Sequence, residues 1–285
     1  MTTDKLTVLV SGATGKQGGA VARRLLARGH AVRALTRKAD SPAAQALASA
    51  GASIVAGSLD DRAALVRALD GADAMFAMST PFEAGTGEET KQGTTAADAA
   101  KDAGAYLVYT SVANADQKTG IPHFDSKYDV EQHIRSIGVR AAIVAPAYFM
   151  ENLWFGREQL AQGVYASPLT ADRALAQIAL EDIAAFSVLA LEQPARFAGT
   201  RHDIGGDELS GTQECEVLAR VAGRPFSYFQ VPMEMIRARM GDDGAKMYEW
   251  FERVGYTVDR VALKRDFPEV GWHDFETWAR AQDWR

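Results

Sequence analysis

Three groups of residues in this chain have the types and spacing to do chemistry. The first is Gly12-Ala-Thr14-Gly15-Lys16-Gln17-Gly18. Glycines at this spacing let the backbone approach a pyrophosphate, and a helix beginning at the turn aims N–H groups and the positive end of its dipole at the same place. Thr14 adds a hydroxyl donor, while Lys16 and Gln17 complete the turn. The second is Thr36-Arg37-Lys38, two cations with no carboxylate before Asp40. The third is His123 and Lys127, four residues apart, which a helix brings onto one face. Histidine can pass a proton near neutral pH, and lysine is a compact point charge. Each group has a plainer reading: a tight turn, solvated surface cations, and a histidine and lysine on a helix with no catalytic part.

The elements needed to position these residues are readable. Short runs rich in β-branched residues, Thr7–Val10, Ala31–Leu35, Ser53–Ala56, Ala74–Met78, Tyr106–Thr110 and Arg140–Ala145, alternate with segments of helical period. That pattern predicts a parallel sheet covered by helices. Gly29, Gly51, Gly71, Gly104 and Gly138 each stand where a helix needs a left-handed C-terminal cap. The glycine turn therefore lies between the first strand and the first helix, the context that dinucleotide binding requires. In such folds the end of the second strand, about 20 residues on, meets the adenosine ribose; an acid there suits NAD, whereas Arg37 and Lys38 suit a 2′-phosphate. NADP(H) is the expected cofactor. Ligands sit beyond the carboxyl ends of parallel strands, which places Ser58 and Leu59 beside the adenine and Ser79-Thr80-Pro81 along the dinucleotide.

After Pro146 the alternation stops, at the aromatic-rich run Tyr148-Phe149-Met-Glu-Asn152-Leu-Trp-Phe155. The expected fold is α/β: a Rossmann-type doubly wound parallel sheet over residues 1–155, with 181–206 returning to it, and a smaller mixed α/β C-terminal substrate-binding region over 156–180 and 207–285. Arg201–Ile204 reads as a short strand able to rejoin the sheet edge. Ser210 with Gln213 reads as a capping box opening a helix that ends near Gly223, followed by a strand over Ser227–Val231. Trp250, Trp272, Trp278 and Trp284 crowd the last part of the chain.

Composition removes several classes. A net charge of −6 over 285 residues gives no basic surface for nucleic acid or anionic membranes. The lone cysteine, Cys215, and five scattered histidines provide neither a disulfide framework nor a thiolate metal site, so no metal is expected. The N-terminus shows no signal-type segment and no run is long enough to span a bilayer; a cytoplasmic location is expected.

At this point the residues resemble the NmrA-like family, an atypical branch of the short-chain dehydrogenase/reductase superfamily. The resemblance is carried by Gly12–Gly19, Arg37, Tyr109-Thr-Ser111, His123-Phe-Asp-Ser-Lys-Tyr-Asp-Val-Glu131 and Pro146-Ala-Tyr-Phe-Met-Glu-Asn152. It extends more loosely through Gln177–Ile183 and Gly223–Tyr228. It implies that Pro146, Tyr148, Phe149 and Asn152 join the cofactor site and that Ser111 and Lys127 match the superfamily's serine and lysine. The superfamily's tyrosine, its proton donor, is replaced here by His123.

Two function classes follow. One is an NADPH-dependent reductase of a flat apolar carbonyl, quinone-like or aromatic polyketide acceptor, with Ser111, His123 and Lys127 catalytic and the C-terminal aromatic residues forming a roof. The other is a regulator that senses the NADPH/NADP ratio without turnover. A small aromatic molecule, a second copy of the chain and, under the second class, a regulatory protein are the candidate partners.

Overall fold

The computed structural model describes residues 5–284. The first half alternates as the sequence predicts: β1 (Thr7–Val10), α1 (Lys16–Ala27), β2 (Ala31–Thr36), α2 (Pro42–Ser49), β3 (Ser53–Ala56), α3 (Arg62–Leu69), β4 (Ala74–Ala77), α4 (Thr86–Ala103), β5 (Tyr106–Thr110), α5 (Pro122–Ile137) and β6 (Ala141–Pro146). The five expected cap glycines all take positive φ, between 64° and 103°. Only glycine accepts that conformation without strain, so each ends its helix where the chain must turn back to the sheet.

The second half comprises β7 (Tyr148–Phe149), α6 (Arg157–Ala161), β8 (Val164–Ser167), β9 (Ala174–Ile178), α7 (Leu180–Glu192), α8 (Pro194–Phe197), β10 (Arg201–Ile204), β11 (Asp207–Ser210), α9 (Gly211–Ala222), β12 (Ser227–Gln230), α10 (Met233–Arg253), α11 (Arg260–Asp266) and α12 (Phe275–Arg280). α9 opens with the expected capping box of Ser210 and Gln213 and stops at Gly223.

The main sheet has seven parallel strands in the order β3-β2-β1-β4-β5-β6-β10. Residues 201–204 lie beside β6, with Arg201 opposite Ile143 and Ile204 opposite Pro146. Side chains alternate across the sheet and fill one core on each face. Val8 and Val10 pack with Val21 and Leu25 of α1 and Ile183 and Phe186 of α7. Leu9, Met75 and Leu107 pack on the other face with Leu65, Ala96 and Val130 of α3, α4 and α5. Strand order reverses between β1 and β4, which opens a crevice at their carboxyl ends.

Two small sheets lie outside it, β11-β9-β7 and β12-β8. Strand periodicity could not announce most of them, because they run for only two to five residues. Two of the C-terminal tryptophans, Trp250 and Trp278, are buried in the core. Trp250 is buried with Phe124, Phe251 and Tyr256, and Trp278 with Phe275 and Leu218. The indole N–H of Trp278 donates to Glu151 Oε1 at 2.8 Å, and Glu151 in turn accepts the Leu180 N–H that opens α7.

Candidate functional site

The glycine turn closes on itself through the Gly15 N–H, which donates to the Gly12 carbonyl at 2.9 Å. Gly12 takes φ +61°, and a Cβ on Gly18 would stand 2.4 Å from the Gly12 oxygen. These two glycines are therefore required by the turn's own geometry. Gly15 is not: its φ is −91°, and a Cβ there would meet nothing closer than 3.3 Å. α1 begins with no side-chain cap and no acidic residue in its first turn; α4, α5, α7 and α10 also lack a side-chain cap but each carries an acid in the first turn, and α2, α3, α9 and α12 are capped by Ser41, Asp61, Ser210 and Asp274. An uncapped helix start beside a close-packed glycine turn fits a bound pyrophosphate, whose oxygens would take the orphan N–H groups. Gln17 contributes backbone only, since its buried side chain donates to Thr110 Oγ1 at 2.7 Å. Lys16 lies over the exposed ring of Phe155, 5.0 Å from its centre.

Of the two cations beyond β2, Arg37 is not free. Arg37 makes a two-pronged ion pair with Glu83, at 2.6 and 2.8 Å, from the loop after β4. Linear distance hid this acid: Glu83 lies 46 residues from Arg37. Both side chains are largely exposed, so the pair is weak and can exchange for a phosphate. Ser58 is turned onto Asp60, its hydroxyl donating at 2.8 Å. Thr80 Oγ1 accepts from the Phe82 N–H, and the Pro81 carbonyl accepts from Gly85.

Lys127 reaches the carboxyl edge of the sheet. Its ammonium is largely buried, donates to the Ser79 carbonyl at 3.1 Å and pairs with Glu89 Oε1 at 2.9 Å. One residue before Ser79, Met78 is clamped to Ser11 of the glycine turn: its N–H donates to Ser11 Oγ at 2.8 Å. A short chain of contacts thus joins the lysine to the turn. Burial works against the charge on Lys127, but Tyr109, the pair with Glu89 and the field of Glu131 outweigh it and hold the amine above its ordinary value. Ser126 fixes the other Glu89 oxygen at 2.5 Å.

The chain belongs to the NmrA-like family. Its family model matches residues 4–279, and the family is of the atypical short-chain dehydrogenase/reductase class. At 29% identity over 235 residues, 82% of this chain and 80% of the relative, it is similar to a (4-alkanoyl-5-oxo-2,5-dihydrofuran-3-yl)methyl phosphate reductase of Streptomyces griseus. It is 29% identical over 237 residues to an NAD(P)H azoreductase of Xenophilus azovorans, covering 82% of this chain and 80% of that one. The crystal structure of NmrA, a negative transcriptional regulator, in complex with NADP matches it with a TM-score of 0.82 at 23% identity, covering 98% and 99% of the two chains.

In this NmrA-like chain the three residues expected to act together are each engaged by a different carboxylate. Lys127 has Glu89. Ser111 donates to Glu131 Oε1 at 2.5 Å, and Glu131 is held from its other side by Arg201 at 2.9 Å. His123 Nδ1 lies 2.7 Å from Asp243 Oδ1 of α10, and although burial opposes it, this contact keeps Asp243 below its ordinary pKa. The segment Pro146–Asn152 runs from the end of β6 through β7. There Tyr148 shares a 3.1 Å hydrogen bond with Tyr248, and Asn152 also bonds to the Tyr148 hydroxyl.

Glu83, Glu89, Glu131 and Asp243 were not singled out from the sequence, although two of them carried a signal. On α4 the buried positions are Glu89, Gly93, Ala96, Ala97, Ala99 and Ala100, so Glu89 stands on the apolar stripe, four and seven residues before Gly93 and Ala96. On α5 Glu131 shares the buried stripe with Phe124, Val130 and Ile134. A carboxylate on an apolar stripe must meet a donor once buried. Here the donors are the serine and lysine of the proposed site.

Proposed function

We propose that this chain is an NADPH-dependent reductase of a flat, apolar carbonyl or quinone-like acceptor. One observation carries the reading: a buried, protonated lysine at the carboxyl edge of the sheet, tied through Ser79 and the Met78–Ser11 clamp to an uncapped pyrophosphate turn. When bound, the cofactor supplies hydride. Gly12, Thr14, Gly15, Lys16, Gln17 and Gly18 hold its pyrophosphate. Arg37 and Lys38 take the 2′-phosphate once Glu83 releases Arg37. Ser58 and Leu59 border the adenine, and Ser79, Thr80 and Pro81 follow the dinucleotide. Pro146, Tyr148, Phe149 and Asn152 border the nicotinamide end. Lys127 holds the ribose through its ammonium. His123, oriented by Asp243, stands where the superfamily has its proton-donating tyrosine, and Ser111 joins only by exchanging its bond to Glu131. The two relatives named reductases support this reading.

A second reading, an NADPH/NADP-sensing regulator, is favoured by the same three carboxylates, which occupy Ser111, His123 and Lys127, and by the likeness to a regulator solved with NADP. Titration with NADPH by its fluorescence, followed by absorbance of the reduced nicotinamide across quinones, enones and ketones, separates the two. Loss of absorbance with an acceptor establishes the reductase. Tight NADPH binding with no acceptor reduced transfers the case to the regulator, and no NADPH binding removes both.

A further inference from the structure

Outside the lysine network the chain buries a carboxyl group that no other contact explains. Glu214, on α9, is only 4% exposed. Its Oε1 accepts from Gln177 Nε2 at 2.5 Å, while its Oε2 is buried with no hydrogen-bond partner. The residue lines a cavity of about 20 Å³ whose wall includes Tyr148, Tyr165, Tyr228, Tyr248 and Arg173, enough space for one oxygen-sized group. Most polar atoms of the wall are already committed. The Tyr148 and Tyr248 hydroxyls bond each other, Tyr228 donates to the Leu169 carbonyl at 2.6 Å, and Arg173 donates to the Phe251 carbonyl at 2.8 Å. Gly211, at the start of the same helix, makes room for this arrangement, since a Cβ there would stand 2.1 Å from the Tyr228 ring.

Burial, only partly offset by Tyr165 and Gln177, pushes the Glu214 carboxyl up to about 7. With Oε1 accepting from Gln177, the proton of the neutral acid belongs on Oε2, which makes no well-formed hydrogen bond, although the Tyr165 hydroxyl lies against the carboxyl. A buried donor without a well-formed bond, facing an oxygen-sized space in an aromatic wall, is one that a ligand would complete. Tyr148 belongs both to this wall and to the segment proposed to border the nicotinamide.

We propose that this cavity is the subsite for the acceptor's oxygen: the carbonyl of a small uncharged ketone, enone or quinone accepts a hydrogen bond from Glu214 Oε2. As an acceptor subsite it rests on the reductase reading. The groups facing Glu214 are Cys215 on its own helix, Tyr165 on β8, Gln177 on β9, Asp207 on β11, Tyr228 on β12 and Tyr148 on β7. Asp207 brings a negative charge that favours the protonated acid, and Arg173 on the same cavity wall brings a positive one, held on the Phe251 carbonyl.

The test uses 2-cyclohexenone and the full-length protein without cofactor. Wild type should bind the enone and lower its infrared carbonyl stretch, with affinity falling as pH rises through about 7. Glu214→Gln keeps a donor of the same shape and should bind within about threefold at any pH, whereas Glu214→Leu should lose the infrared shift and about tenfold or more in affinity. The subsite is overturned if wild type binds no enone, if the stretch is unmoved, or if Glu214→Leu behaves as wild type. These readings need no turnover. Enone bound at Glu214 with no NADPH oxidation would defeat the reductase and leave the subsite, and wild-type reduction kinetics in Glu214→Leu would do the reverse.

Discussion

Glu83 and Glu89 govern the two cationic parts of the proposed cofactor site in different ways. Glu83 competes with a 2′-phosphate for Arg37 across an exposed ion pair, so Glu83→Gln should tighten NADPH binding by a few-fold and leave NADH nearly unchanged. Arg37→Glu should weaken NADPH far more than NADH. Fluorescence titration with both nucleotides checks the pair, and equal effects on both would remove the phosphate from this corner. Glu89 is buried, so Lys127→Ala strands a carboxylate and should cost roughly 3–5 kcal/mol of stability as well as any turnover. Lys127→Met with Glu89→Gln should recover most of the melting temperature without recovering NADPH oxidation, which separates the chemical part of Lys127 from its structural part.

Among elements, the opening of α1 divides the glycines by purpose. Gly18→Ala forces a Cβ against the Gly12 carbonyl and should destabilise by about 1–3 kcal/mol. Gly15→Ala meets only a tight contact at 3.3 Å and should melt within a few degrees of wild type while losing dinucleotide affinity. Thermal melting set beside nucleotide titration distinguishes them, and equal melting losses would sink the division. The same scale explains what could be read in advance. The six strands from β1 to β6 and their glycine stops were readable because each strand is an apolar run and each stop needs a positive φ. Of the outer strands, β12 was readable, as the run Ser227–Val231, but β7, β8, β9 and β11 were not, because they carry too little alternation and their pairing partners are distant in sequence. The site was readable where chemistry is local, at the glycine turn and at His123 and Lys127. It was hidden where a loop or a helix stripe brings in a partner from far along the chain, as Glu83, Glu89 and Asp243 do.

For the molecule as a whole, the buried acids set how stability follows pH. Glu214 has its folded pKa raised from 4.5 to about 7, so the folded chain holds a proton that the unfolded chain releases. Its contribution is complete below the ordinary carboxylate range and is lost as pH rises through about 7, an effect on the order of 3 kcal/mol. Between pH 4 and pH 8.5, wild type should therefore lose that much relative to Glu214→Gln in urea denaturation, and parallel curves for the two would show that the carboxyl is not protonated in the folded state. No helix among the described residues is long and apolar enough to cross a membrane. The outermost strand of the main sheet, β10, is supplied by residues 201–204, and α7 covers the same face as α1. A nascent chain that had emerged from the ribosome only as far as Phe155 would therefore carry a raw sheet edge along β6 and an unroofed apolar flank on α1. Such a half-made product invites mispairing, so biosynthesis commits to the native state only after some two hundred residues are out.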